Sequence, residues 1–312
     1  MTDIVSLDEG YSTTRLLTQE KPMIINTPED KFETVLFLPE GENRKGEGGL
    51  RTKGYFKKSF DDKPLISIIT VVFNGEKYLE ETIQSVINQT YGNAEYIIID
   101  GGSTDGTLDI IKKYEDKIDY WVSEKDRGIS DAFNKGVKVA KGDYINFQGD
   151  GDGFVSSDAL EKVFEGINSS EDIFVSARIS RIDENGEELF TSKHIQNFDK
   201  SSLLFRMSIP HQGLFTHKNY FKKYELFDVD NVFCMDYEHL LRSYKDFPRV
   251  VTKDIVAARW RADGIGNGRT LEIYKEYDKI KRDNKVANGL VLDIINYWTL
   301  FKYYLKKLIK ND

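Results

Sequence analysis

The chain has 312 residues, 39% hydrophobic and 31% charged, a composition that supports a soluble globular protein with a sizeable core. Its formal net charge of −8 and pI near 5.3 argue against a nucleic-acid binder, which carries a basic footprint. No stretch of about 18 apolar residues is present to span a bilayer and the N-terminus shows no signal-peptide core, so the expected compartment is the cytoplasm.

Residues 1–63 read as an extension: Phe32–Leu38 has the pattern of a strand, and Pro39–Gly54, rich in Gly, Glu, Lys and Arg, that of an exposed arm. From Pro64 the pattern tightens. Leu65–Phe73 is a β-branched run that fits a strand buried on both faces. Glu76–Gln89 follows as a helix, with Leu79, Ile83, Val86 and Ile87 on one stripe. Strand Tyr96–Ile99, helix Leu108–Tyr114, strand Tyr120–Val122, helix Ser130–Ala140 and strand Tyr144–Gln148 complete an alternation that predicts an α/β fold with a doubly wound, mostly parallel, Rossmann-like sheet.

After Asp152 the alternation weakens. Ser157–Ile167 reads as a helix, and Ile173–Ile179 with Glu188–Ser192 as a hairpin. Residues 211–216 read as a strand, Asp236–Tyr244 as a helix and Val250–Ala257 as a strand. This smaller half is expected to supply a second ligand's pocket. Leu290–Lys310 mixes aromatic and aliphatic residues with Lys302, Lys306, Lys307 and Lys310. It reads equally as an amphipathic helix on an anionic membrane and as a terminal helix packed on the domain. Cys234, in an apolar run, reads as a buried small hydrophobe.

Two acidic stations sit where strands end. Asp100 opens Gly101-Gly102-Ser103-Thr104-Asp105-Gly106-Thr107, and Asp150 with Asp152 lies in Gly149-Asp150-Gly151-Asp152-Gly153. In an open parallel sheet, ligands bind beyond the carboxyl ends of the strands, so these loops face a common site. A D-x-D pair flanked by glycines suits a hard divalent cation, Mg²⁺ or Mn²⁺, that also grips phosphate oxygens. The combination suggests a nucleotide diphosphate held through a metal. An EF-hand is excluded by Phe154 at a ligand position, and no Walker A motif is present.

The ordered blocks Thr70–Asn74, Ser85–Tyr91, Ile99–Thr107 and Ser123–Gly136, with Ala140–Asp143, resemble the family 2 glycosyltransferases. They are most similar to the bacterial branch that builds O-antigen, capsule and exopolysaccharide. The resemblance is strong across 64–155, fair across 208–245 and absent from 1–60. It implies a GT-A fold over 64–268, with a nucleotide-sugar half at 64–155 and an acceptor half at 156–268, followed by a C-terminal helical region at 269–312. It also implies an inverting transfer from a nucleotide-sugar donor, UDP-linked in most of the family, to a saccharide acceptor. If the C-terminal helix is interfacial, that acceptor is lipid-linked.

Carried over by position, Phe73 and Asn74 stand beside the nucleobase, Asp100 accepts from a ring N–H, and Gly128 and Asp131 line the base and ribose. Asp150 and Asp152 are the D-x-D pair holding the metal and diphosphate. Asp236, at a helix start, is the implied general base, with Glu238 second and a plain N-cap the structural alternative. His211, in Pro210-His211-Gln212-Gly213, is a candidate contact to the diphosphate or acceptor, or else a structural histidine. Phe133 stands where many relatives carry Arg, with Arg127 as the replacement cation. Trp260–Arg269 reads as a loop over the donor that brings Arg261 or Arg269 to the phosphates, or as an ordinary surface loop. Two other classes stay open: a sugar nucleotidyltransferase, and a non-catalytic binding subunit of a polysaccharide assembly.

Overall fold

Every residue of Ile66–Val72 is buried, as a strand covered on both faces requires. The computed structural model describes residues 4–41, 43–168, 173–262 and 268–310. The first elements are β1 (Leu17–Thr18), β2 (Gly46–Gly48), β3 (Phe56–Lys57), β4 (Ile66–Val72) and α1 (Leu79–Ile87). Then come β5 (Ala94–Asp100), α2 (Thr107–Lys113), β6 (Tyr120–Ser123), α3 (Ile129–Val139), β7 (Tyr144–Gly149), β8 (Gly153–Phe154) and α4 (Ala159–Phe164). The second half holds β9 (Phe174–Ile182), β10 (Glu188–Thr191), β11 (Leu214–His217), α5 (Lys218–Tyr224), α6 (Met235–Leu241), β12 (Val250–Arg261), α7 (Thr270–Asp283) and α8 (Gly289–Lys310).

β1 pairs with β3. The other strands form one sheet in the order β2-β6-β5-β4-β7-β11-β9-β12-β8, with β10 attached to β9. The run β6-β5-β4-β7 is parallel, as the alternation predicts. β11 then inserts antiparallel to both β7 and β9, so the two halves share one continuous mixed sheet. Side chains alternate across it with period two. Ile66, Ile68 and Val72 pack with α1, whereas Ile69 and Val71 pack with Ala132, Phe133 and Val137 of α3.

Two N-terminal expectations are corrected. Phe32–Leu38 is irregular, not a strand. Pro39–Gly54 is not an exposed arm: β2 pairs with β6 and covers that sheet edge, and Leu50 and Arg51 are buried. Arg51 forms an ion pair with the buried Glu95 and donates to the carbonyls of Leu36 (3.1 Å) and Val139 (2.8 Å). A segment this polar reads as solvated because its partners lie far along the chain, outside any local sequence pattern.

The strand expected at 211–216 begins only at Leu214. Residues His211–Gly213 are a 3₁₀ turn, held because the Asn146 and Gln148 amides both donate to the Gln212 carbonyl (3.1 and 3.0 Å). At the C-terminus, α8 buries Leu292 and Ile295 and pairs Asp293 with Arg282 of α7 (2.7 Å). Its outward side exposes Leu290, Ile294, Tyr297, Phe301, Tyr304 and Leu308. Their spacing of four and three places all six on one stripe.

Candidate active site

The carboxyl ends of β4 and β7, with the loop after β6, open into a cleft of about 1680 Å³, whose other wall comes from β9, β10, the turn at His211–Gly213 and the start of α6. Of the residues singled out by sequence, Phe73, Asn74, Gly128, Asp150, Asp152, His211 and Asp236 all line it.

Phe73 presents a ring 64% exposed at the end of β4. Asn74 follows at φ 55, its N–H donating to the Ser103 hydroxyl (2.7 Å) and its Oδ1 accepting from the Thr104 N–H (2.9 Å). The Ser103 hydroxyl in turn donates to Asp100. Asp100 is fully buried and does not line the cleft. It also accepts from the Ser103 N–H (3.1 Å) and the Ser123 hydroxyl (2.5 Å). In this conformation its carboxylate fixes the loop that carries Asn74 and presents no face to a ligand. Asp131 is likewise occupied at the start of α3, where it accepts from the Arg127 N–H (3.1 Å). Arg127 is exposed, pairs with Asp131 and stands outside the cleft lining in this conformation. Phe133 itself is buried against Phe147 and His211.

The carboxylate that does reach this end of the cleft is Asp126. It accepts from the Gly128 N–H (2.9 Å), and burial pushes its carboxyl above the ordinary range. A β-carbon on Gly101 would stand 2.6 Å from an Asp126 oxygen, so the close approach needs glycine there. Asp126 lies inside the Ser123–Gly136 block, yet adjacency to a strand end favoured Asp100.

Asp150 packs against the first loop, where a β-carbon on Gly75 would meet its carboxylate at 2.6 Å. Asp152 is buried: Oδ1 accepts from the Arg261 N–H (3.0 Å), and Oδ2 from Gln212 Nε2 (2.9 Å) and the Gly149 N–H (3.2 Å). Desolvation dominates those bonds and pushes its carboxyl up to about 6. Among the described residues no group of three or more His, Cys, Asp or Glu side chains is placed to hold a metal alone. Asp150 and Asp152 stand on the same cleft wall, where a hard cation would draw its other oxygens from a substrate diphosphate.

Gln212 links the two walls. Its side chain holds Asp152, and the same turn delivers His211, whose ring stacks on Phe147 (5.0 Å between centroids). His211 Nδ1 lies 3.9 Å from Asp236 Oδ2. Burial holds its imidazole below the ordinary pKa despite that carboxylate, which favours the neutral ring. Asp236 sits in the first turn of α6 and accepts from the Tyr237 N–H (2.7 Å). The second choice, Glu238, is clasped through both oxygens by Arg242 and does not line the cleft. Cys234 is buried and its thiol pKa is driven up by burial, in keeping with a small hydrophobe.

Arg261 lines the cleft but is committed to the protein. It donates to the carbonyls of Gly151, Asp183 and Glu184 and to the Glu81 carboxylate, and its guanidinium lies 4.1 Å from the Tyr78 ring centroid. Arg269 pairs with Glu272 (3.3 Å). The middle of the expected loop, residues 263–267, lies outside the described residues.

A family model described as glycosyl transferase family 2 matches residues 67–242, more than half of the chain. An uncharacterised glycosyltransferase of Rickettsia typhi is 33% identical over 261 residues, covering 80% of this chain and 74% of that protein. A PGL/p-HBAD biosynthesis glycosyltransferase of Mycobacterium tuberculosis is 26% identical over 245 residues, 75% of this chain and 91% of that one. Among solved structures, S. aureus TarS in complex with UDP-GlcNAc superposes with a TM-score of 0.60 at 18% identity, covering 76% of this chain and 71% of that one. The mannosyltransferase PcManGT from Pyrobaculum calidifontis, with GDP-Man and Mn²⁺, gives 0.56 at 18%, covering 76% and 69%. At such identity the likeness speaks for the fold, which is the GT-A fold implied by the motifs.

Proposed function

Because this chain belongs to glycosyl transferase family 2, we propose that it moves a sugar, with inversion, from a nucleotide-diphosphate donor to a saccharide acceptor. The observation that carries the reading is the single cleft in which Asp150 and Asp152 face one side and the Asp236–His211 pair the other, joined through the turn at Gln212.

In this reading the exposed Phe73 ring is the platform on which the base stacks. Asp126 accepts from the ring N–H of the base, the role that sequence reasoning gave to Asp100. Asp150 and Asp152 would hold Mg²⁺ or Mn²⁺, which supplies charge neutralisation for the leaving diphosphate. Asp236 takes the proton of the acceptor hydroxyl as that oxygen attacks the anomeric carbon from the face opposite the diphosphate. His211, whose Nδ1 lies 3.9 Å from Asp236 Oδ2, is placed to contact the diphosphate or the acceptor beside the base.

UDP is the favoured nucleotide; a fold neighbour in complex with UDP-GlcNAc supports it, while one with GDP-Man and Mn²⁺ keeps GDP in view. The pathway in this reading is bacterial surface-polysaccharide synthesis, of the O-antigen or capsule kind. A lipid-linked acceptor fits a relative assigned to PGL/p-HBAD biosynthesis. It also fits the outward apolar stripe of α8 beside Lys302, Lys306 and Lys307, which would rest on the cytoplasmic face of the membrane. Among the described residues no helix is long and apolar enough to cross a membrane.

Calorimetric titration of UDP, GDP, dTDP and CDP, with Mn²⁺ and with EDTA, tests the donor side. Binding of one diphosphate that requires the metal is expected. Equal binding in EDTA would remove the assigned role of Asp150 and Asp152.

A further inference from the structure

The cleft is divided by charge. Its acidic lining residues are Asp126, Asp150, Asp152 and Asp236, from the loops after β6 and β7 and the start of α6. The stretch of lining between Ser176 and Gln212 has no Asp or Glu, but carries Arg178, Arg181, Lys193, His194 and Arg206. Across the whole chain Asp and Glu outnumber Lys and Arg by 52 to 44, so an all-basic wall runs against composition.

Not all of these cations are equally available. Arg178 is partly neutralised by Asp254 (2.9 Å). Arg181 lies over the Trp260 ring, 4.6 Å from its centroid, and its buried Nε has no hydrogen-bond partner among the described residues. A buried guanidinium N–H left unmatched is costly, and an incoming anion would relieve it. Arg206 is exposed on the rim of the same wall.

The wall lies on the acceptor side. β4 and β5 flank β7 on one side, whereas β9, which carries Arg178 and Arg181, is reached on the other side across β11. We infer that Arg181 and Arg206, backed by Arg178 and Lys193, form an acceptor subsite for a phosphate ester or diphosphate group. The inference rests on the reading of the cleft as a glycosyl-transfer site and specifies its acceptor as anionic. That phosphate can belong to a phosphorylated glycan or to a lipid diphosphate. A planar, delocalised cation held over an aromatic ring is suited to bidentate capture of either.

The test is calorimetry on the full chain saturated with UDP and Mg²⁺, so that the donor site is filled. Glucose 1-phosphate and farnesyl diphosphate serve as probes, and octyl glucoside as the uncharged control. At least one phosphate probe is expected to bind with an affinity that falls as salt rises, and the preferred probe tells glycan phosphate from lipid diphosphate. Arg181→Gln and Arg206→Ala are each expected to weaken that binding at least tenfold while UDP affinity is unchanged, which also shows that the variants are folded. Absence of binding by both phosphate probes, or equal binding of octyl glucoside, overturns the inference. So does a loss of UDP affinity in the variants, which would place these cations on the donor diphosphate. Failure of the wild-type protein to bind any nucleotide diphosphate would instead strike the donor reading.

Discussion

Replacing Asp152 by Asn should change the pH dependence of stability in a direction opposite to that of most acidic residues. Burial raises the Asp152 carboxyl from 3.8 to about 6. Between those values the unfolded chain has released the proton and the folded chain still holds it, so stability falls as pH rises. At about 1.4 kcal/mol per unit, the full loss approaches about 3 kcal/mol. Roughly half is already incurred at pH 5 and nearly all of it at pH 7.5. The Asn side chain does not titrate, but its NH₂ cannot accept from the N–H donors of Arg261 or Gly149. That fixed penalty of about 1–3 kcal/mol is the same at both pH values. Urea unfolding of both proteins in EDTA at pH 5 and 7.5 therefore isolates the carboxyl. The stability of Asp152→Asn relative to wild type should improve by about 1.5 kcal/mol between the two. A gap that stays constant would refute the claim that desolvation outweighs the three hydrogen bonds to this carboxylate.

Asp236→Asn should lower kcat by about 10²–10⁴-fold with little change in the melting temperature, because the carboxylate sits in the cleft and caps no buried network. Steady-state transfer assays read it; a change confined to KM would make Asp236 a binding group instead of the base. Replacing Tyr297, Phe301 and Tyr304 by Glu should release the protein from vesicles containing anionic lipid without altering UDP affinity. Unchanged co-sedimentation would show that the α8 stripe does not carry membrane contact.

The parallel core was legible because its signals are local: β-branched runs of strand length, apolar stripes at helical spacing and glycine-bounded carboxylates at strand ends. The cleft was legible only in part. Sequence brings both Asp100 and Asp126 to the same end of the sheet. Which of them faces a ligand depends on whether Ser103 and Ser123 have already taken up the carboxylate. The same holds for Glu238, an acid beside the expected base, until its bidentate pairing with Arg242 is seen. The basic wall was hidden for another reason. Its arginines come from β9 and the segment before the His211 turn, and only the pairing of β9 with β11 and β12 brings them onto one surface.

The burial of Arg51 has a consequence for how the chain is made. On the ribosome this segment emerges before its partners: Arg51 needs Glu95, 44 residues later, and the Val139 carbonyl, 88 residues later. Arg15 similarly waits for the carbonyls of Gln89 and Thr90. Until those strands and helices exist, the early segment has nothing to bury itself against, and a polar, glycine-rich composition keeps it hydrated and out of misplaced contacts during that interval. The same composition that disguises it as a surface arm thus suits a strap that is synthesised early and fastened late, across a sheet edge that would otherwise be left open to pair with another chain.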